Sequence, residues 1–408
     1  MRLLLITNRY PVDADDPASP FVPHFVAALR GEGVCVDVLT PDYNPAAEEI
    51  ISLSPRGEES RGEEGEVHRF ATGSHTPVGS WNLASPLSWL RLMKFLRKGR
   101  QLGEQLCAEN SYDHILALWA LPSGHFARTL GKLFGIPYSV WCLGSDIYVW
   151  PKRPFIRGQI ASVLKSASAV YGDGHDLCRR IENWLGIKAA FLPSFRPLSG
   201  LEGCKPPAPT EAPTYLSLGR LHPAKGVFDL FTAFLEVKVI LPQARLRFVG
   251  GGPAEQKLKS EAARLGLGRA VDFDGVVGQD MILKRLQESH CVVIPTRSDS
   301  IPLVFTEAVQ AMRPVIGTDV GDLGASIRRH RLGLVTPSAN RGDLALAMIR
   351  IAREPVFDLQ GRDDLLREFD PRTAAKLFRE RSFGQAQEIP RRSTRQSPAK
   401  PRKREYIT

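Results

Sequence analysis

The chain has 408 residues, 43% of them hydrophobic and 24% charged, with a formal net charge of +10. That length exceeds what one hydrophobic core serves, so two large domains are expected, and the composition is that of a soluble globular protein. No stretch approaches the roughly 20 apolar residues of a membrane span. The opening apolar run stops after Ile6, too short for a signal-peptide core.

Strand and helix patterns alternate along most of the chain, which predicts α/β layers built on parallel sheets. Leu3–Ile6 reads as the first strand. Val22, Phe25, Val26 and Leu29 have helical spacing, closed by Gly31 and Gly33, and 34–39 alternates as a second strand. Residues 46–66 hold seven glutamates and few large apolar groups, so they read as a solvated loop or insertion. A long helix is expected over 86–109, with Trp89, Leu92, Met93 and Leu96 on one side and Arg91, Lys94, Arg97 and Lys98 on another. It fits either a core-packed helix with a solvated basic face or peripheral contact with an anionic membrane. Strands follow at 115–118, 138–142, 169–171 and 189–192. The stretch 199–213 (S-G-L-E-G-C-K-P-P-A-P-T-E-A-P) reads as an interdomain linker. A second alternating unit has strands at 214–218, 245–249, 271–273, 291–294 and 314–316, with helices over 227–240 and 253–265 among them.

The expected organisation is therefore a first domain over 1–198, the linker, a second domain over 214–370, a helix over 371–388 and a disordered basic tail over 389–408. In that tail Arg391, Arg392, Arg395, Lys400, Arg402, Lys403 and Arg404 face only Glu405. It lacks interleaved aromatics, so nucleic acid is not an expected partner. Cys35, Cys107, Cys142, Cys178, Cys204 and Cys291 are scattered without a C-x-x-C. They read as reduced thiols of a cytoplasmic chain, not as a disulfide frame or zinc site.

Two segments of the second domain suggest phosphate binding. In 292–318 a strand ends at Pro295, Asp299 sits in a polar loop, Pro302 opens a helix at its first turn, and Glu307 follows one turn on. Unpaired N–H groups near Leu303, Val304 and Phe305 would make an anion site. In 216–226 (L-S-L-G-R-L-H-P-A-K-G) Gly219 permits close backbone approach, while Arg220 and Lys225 leave the loop before a helix. A guanidinium can fork onto two phosphate oxygens and an ammonium adds a compact second charge. A surface loop with two solvated cations is the plain alternative. The glycines of 250–252, Gly251 and Gly252 among them, let backbone pass near a ligand or turn the chain.

These segments, with R-F-V-G-G-G-P (247–253), V-D-F-D-G-V-V (271–277) and A-V-Q-A-M-R-P-V-I-G-T (308–318), resemble the group 1 (family 4) retaining glycosyltransferases over about 214–345. The first half resembles them through L-A-L-W-A-L-P-S-G (116–124) and L-G-S-D (143–146). The resemblance implies a GT-B fold: two Rossmann-like domains whose parallel sheets face an interdomain cleft, with a nucleotide-sugar held mainly by the second. It implies that Arg220 and Lys225 hold the donor diphosphate, that Glu307 bonds the ribose, that Asp299 contacts the transferred sugar, and that Asp299, Arg220 and Lys225 act in catalysis. Gly219, Gly251, Gly252, Leu303 and Val304 complete the implied donor site, and Ser19 and Asp146 stand on the acceptor side. The implied reaction moves a sugar, with retention, from a UDP- or GDP-linked donor to a saccharide or lipid-linked acceptor, in polysaccharide, glycolipid or cell-envelope biosynthesis. No cofactor or metal is expected. A non-catalytic nucleotide-sugar binder, a nucleotide-sugar epimerase and a membrane-surface scaffold are the alternatives.

The chain departs from that family where histidines are usual in the N-terminal cleft, since Leu116, Leu118 and Leu143 stand there. Asp299 replaces a Glu, and P-S-F-R-P (193–197) replaces N-G-x-D. The pairs Asp13/Asp15 and Asp272/Asp274 read as solvated or structural rather than metal-binding. G-D-G-H-D-L (172–177) reads as a helix-capping turn.

Overall fold

The computed structural model describes residues 1–13, 16, 18–43, 51–53, 65–76, 78, 81 and 85–384. The tail at 389–408, the end of the helix expected over 371–388, and Asp15 lie outside the described residues.

Parallel strands need crossovers, and the chain supplies a helix at nearly every one. The first unit runs β1 (Arg2–Ile6), α1 (Phe21–Gly31), β2 (Cys35–Asp42), β3 (Ile51–Leu53), β4 (Val67–Ala71), α2 (Pro86–Glu109), β5 (His114–Leu118) and α3 (Ser123–Phe134). It continues with β6 (Tyr138–Cys142), α4 (Ser145–Tyr148), α5 (Pro154–Lys165), β7 (Ala169–Gly172), α6 (His175–Leu185) and β8 (Ala189–Phe191). Its sheet has the order β3-β4-β2-β1-β5-β6-β7-β8, parallel except for β3 against β4.

The second unit runs β9 (Thr214–Leu218), α7 (Val227–Ile240), β10 (Arg245–Val249), α8 (Glu255–Arg264), β11 (Val271–Gly275), α9 (Gln279–Gln287), β12 (Cys291–Ile294) and α10 (Leu303–Gln310). There follow β13 (Val315–Thr318), α11 (Leu323–His330), β14 (Gly333–Thr336), α12 (Arg341–Arg353), α13 (Leu359–Glu368) and α14 (Pro371–Phe383). Its sheet, β11-β10-β9-β12-β13-β14, is parallel throughout. Each sheet buries an apolar layer on both faces, as a sheet covered on both sides must.

Several expectations need correction. The stretch read as a solvated loop carries β3, which pairs antiparallel with β4 at the sheet edge. Pro302 is the N-cap of α10, with ψ 136, rather than its first helical residue. Helix α2 has the expected span but not the expected packing. Its buried residues are Phe95, Gly99, Leu102, Gly103, Leu106 and Cys107, while Trp89 and Met93 are exposed. The reason is length. Twenty-four helical residues span about 36 Å, whereas a five-residue strand covers only about 17 Å, so the first turns of α2 overhang the sheet.

The chain passes between the units twice. Phe195 and Leu198 already pack in the second core, so residues 199–213 run along the second unit. At the far end α14 returns and packs on α1. Phe378, fully buried, meets Phe25, Tyr171 and His114 there. Phe378→Ala is expected to destabilise the protein by ~3–5 kcal/mol, read as a lower midpoint in urea unfolding; an unchanged midpoint would show that α14 adds nothing to the first core.

Candidate active site in the interdomain cleft

A cavity of about 700 Å³ lies between the C-terminal strand edges of the two sheets. Ligand sites of open α/β sheets form at such edges, because strand ends deliver loops and helix N-termini to one place. From the first unit it is lined by Ser19, Trp119, Leu143, Asp173, Ser194 and Arg196. From the second it is lined by Gly219, Arg220, Lys225, Gly251, Asp299, Leu303, Val304 and Glu307. The two phosphate-binding signals, far apart in sequence, thus open on one cavity.

The loop after β9 is seated by backbone. The ring nitrogen Nδ1 of His222 accepts from the Ala224 N–H at 3.1 Å, and Arg297 N–H donates to the Ala224 carbonyl at 2.9 Å. Gly226 has φ +71, and a Cβ there would stand 1.8 Å from the Pro295 carbonyl oxygen. Only glycine allows that approach. The result is contact between the two segments: Lys225 Nζ donates to Asp299 Oδ2 at 2.5 Å, and Thr296 Oγ1 donates to the same oxygen at 3.3 Å. Arg220 is exposed on the rim, and no ion pair holds it among the described residues.

Glu307 is buried and meets Arg196 Nη2 at 2.6 Å. Burial raises its pKa, opposed by the pull of Arg196. Arg196 arrives from the segment after β8, so the pair ties the first crossing of the chain to α10. The N-terminus of α10 faces the cavity through Leu303 and Val304. The expectation for Phe305 fails, because its N–H is already bonded to the Pro302 carbonyl at 2.9 Å and its side chain is fully buried.

Gly252 and Asp146 do not line the cavity. A Cβ on Gly252 would stand 2.4 Å from the Leu221 carbonyl oxygen, so it serves close chain packing. Asp146 is fully buried and accepts from the N–H groups of Ala120, Leu143 and Gly144 at 3.0, 3.2 and 3.0 Å. It shapes the wall to which Trp119 and Leu143 belong. Ser19 and Trp119 both have positive φ, 51° and 66°. Such strain gathers at ligand sites, where surrounding structure over-determines the backbone.

Asp272 is paired with Arg245 at 2.9 Å, and Asp274 with Arg285. Among the described residues no group of His, Cys, Asp and Glu could hold a metal ion. The turn 172–177 opens α6 as expected, but its cap comes from the other unit: Asp322 accepts the Asp176 N–H at 2.9 Å. Glu368 faces His175 across the same seam at 3.5 Å and raises its pKa.

Three residues of this wall were not assigned a role from sequence: Trp119, Asp173 and Arg196. The two prolines that stiffen P-S-F-R-P were the available signal for Arg196. Asp173 is the cavity carboxyl without a cation. Asp299 has Lys225 and Glu307 has Arg196, but among the described residues no ion pair forms at Asp173, whose Oδ1 is buried without a partner there. Burial pushes its pKa well up; Ser300 opposes this, and Asp146, Asp299 and Asp322 add to the rise.

Residues 204–365 match the family model described as glycosyl transferases group 1, and residues 18–192 match that described as glycosyl transferase 4-like domain. The chain is 28% identical over 265 residues to TuaC of Bacillus subtilis (strain 168), named for teichuronic acid biosynthesis. That match covers 62% of this chain and 64% of TuaC, a little under two thirds of the relative. Among solved structures, sucrose-phosphate synthase from Thermosynechococcus elongatus superposes with a TM-score of 0.72 at 20% identity, covering 93% of this chain and 98% of that one. HepE from Anabaena, in complex with UDP and glucose, superposes with a TM-score of 0.64 at 15% identity, covering 93% and 98%. At those identities the likeness shows the fold alone.

The unpaired state of Asp173 has a thermodynamic signature. A carboxyl whose folded pKa is raised loses stability as pH climbs from its unfolded value, ~3.9, through its folded one. Asp173→Asn is therefore expected to melt higher than the native chain at neutral and alkaline pH, with the gap closing towards pH ~4. Thermal melts across that range check it, and a gap that ignores pH would mean Asp173 is ionised throughout.

Proposed function

The chain belongs to the group 1 glycosyltransferases and has their GT-B fold, and from that premise we propose that its cleft binds a nucleotide-sugar and transfers the sugar with retention. The observation that carries this reading is the convergence of Arg220, Lys225, Asp299, Glu307 and the α10 N-terminus on one cavity. Cations and helix amides suit a diphosphate; carboxylates suit hydroxyl groups.

Within the cleft Lys225 is paired with Asp299 and Arg196 with Glu307. A donor exchanges the pairing: its diphosphate takes Lys225 together with Arg220, and Asp299, released, accepts from hydroxyls of the sugar. Glu307, held in place by Arg196, accepts from the ribose. As the bond from the anomeric carbon to the phosphate oxygen breaks, negative charge grows on the departing diphosphate. Lys225, Arg220 and the amides of Leu303 and Val304 stabilise that charge more than they stabilise the ground state. The acceptor hydroxyl oxygen bonds the anomeric carbon on the same face, and its proton passes to the departing phosphate oxygen, so no protein nucleophile and no metal enters the scheme.

The UDP held by HepE supports a uridine donor, with GDP-linked sugars the alternative. The name of TuaC, a teichuronic acid biosynthesis glycosyltransferase, supports a saccharide acceptor in cell-envelope polysaccharide synthesis; the cytoplasm is the proposed location. A binder without turnover would show affinity for the donor and no release of nucleotide.

Calorimetry with UDP and GDP tests the pairing. Lys225→Ala is expected to weaken the better-bound nucleotide by about 1.5–3 kcal/mol, the range for hydrogen bonds to charged groups. Asp299→Asn, by freeing Lys225, is expected to bind that nucleotide at least as tightly while releasing it more slowly from the nucleotide-sugar. Equal losses in both variants would contradict the exchange of partners.

A further inference from the structure

Two segments of the first unit expose large apolar side chains among cations. In the overhanging start of α2, Leu87, Trp89, Leu90 and Met93 are exposed, Leu90 by 68%. At the α4–α5 corner Val149 and Phe155 are exposed, Phe155 by 74%. Neither segment contains an acid. Residues 85–103 carry Arg91, Lys94, Arg97, Lys98 and Arg100 with no Asp or Glu, and 147–172 carry Lys152, Arg153, Arg157 and Lys165 with none.

Helical spacing sorts the first segment. Phe95, Gly99, Leu102 and Leu106 share the buried side. At about 100° per residue, Trp89, Leu90, Met93, Lys94 and Arg97 fall on the side opposite. The outward face is thus a mixture of apolar and cationic groups rather than a purely polar one.

Topology sets the two segments on one edge. Strands β4, β5, β6 and β7 run parallel to the rest of the sheet, and α2 and α5 each lead back to the start of the next strand. Their N-terminal ends therefore lie at the C-terminal strand edge, which also bears Trp119, Leu143 and Asp173 of the cavity wall. Both helices pack on α3, so they flank it in one layer.

We infer that this edge docks on an anionic lipid bilayer, with the apolar tips entering the headgroup boundary and the cations meeting lipid phosphate. Single apolar side chains spaced between long cationic ones suit a fluid interface, where Trp resides at headgroup depth and Lys and Arg reach outward from an apolar stem. Apolar insertion and electrostatic attraction are the two signals that stable interfacial binding requires. Docked in this way, the mouth of the cleft faces the membrane, and an acceptor carried on lipid reaches the cavity without leaving it. The lipid-borne acceptor rests on the proposed transferase reading; the docking does not.

The test is sedimentation of the full chain with phosphatidylcholine vesicles, with and without phosphatidylglycerol. Binding is expected only with phosphatidylglycerol present, and it is expected to be lost at high salt. The pairs Trp89→Ser with Phe155→Ser, and Arg97→Glu with Arg153→Glu, are each expected to weaken it at least ~10-fold, with native melting temperatures because all four residues are exposed. No sedimentation of the native chain overturns the inference. So does binding that survives both pairs, which would assign it to another surface, the basic stretch at 389–408 included. Nucleotide affinity of the same proteins, measured by calorimetry, separates this outcome from failure of the donor site.

Discussion

Ionised groups taken out of bulk water need partners, and the cleft meets that need by joining segments that the chain keeps apart. Glu307 is buried at the base of α10 and is matched by Arg196, 111 residues earlier, at 2.6 Å. Asp299 is matched by Lys225 at 2.5 Å. Breaking a buried pair by removing one member leaves a charge without compensation, a penalty of several kcal/mol. That penalty falls on the buried Glu307–Arg196 pair; the Lys225–Asp299 pair is partly exposed and screened by water, so it positions its two loops while adding little stability. Asp173, lacking such a partner among the described residues, is the exception: burial pushes its pKa well above the ordinary carboxylate range.

Much of the architecture was visible in local pattern. The strands 138–142, 214–218, 245–249 and 291–294 lie where short runs rich in apolar side chains meet a Gly or Pro within two residues, and the helices over 86–109 and 227–240 have the spans their apolar period implies. Buried parallel strands announce themselves in this way because both faces are apolar. What escaped was decided by tertiary placement. The edge strand β3 follows a glutamate-bearing stretch and pairs on one side only. The exposure of Trp89 and Met93 follows from how far α2 outreaches its sheet, which period cannot reveal.

The site divides along the same line. That Arg220, Lys225, Asp299 and Glu307 line one cavity was legible because each follows a strand end with a loop and a helix start, the places an open α/β sheet delivers to its ligand edge. Trp119, Asp173 and Arg196 were not, because each lies in an irregular segment after a strand, where no period or motif marks which side chain meets the cavity. The carboxylate of Asp322 capping α6 across the seam belongs to the same class. Asp146 was read as a cleft residue from its position, but it stands behind the wall, where its three backbone hydrogen bonds make it a brace.

The return of α14 to the first unit has a mechanical meaning. Two chain crossings, one near residue 195 and one before Pro371, connect the halves, and a body attached at two points can swing about the line through them but cannot drift freely. Severing the chain between the halves would strip Phe25 and Tyr171 of the aromatic cover that Phe378 provides, so the first half in isolation would present a sticky, uncapped face to its neighbours.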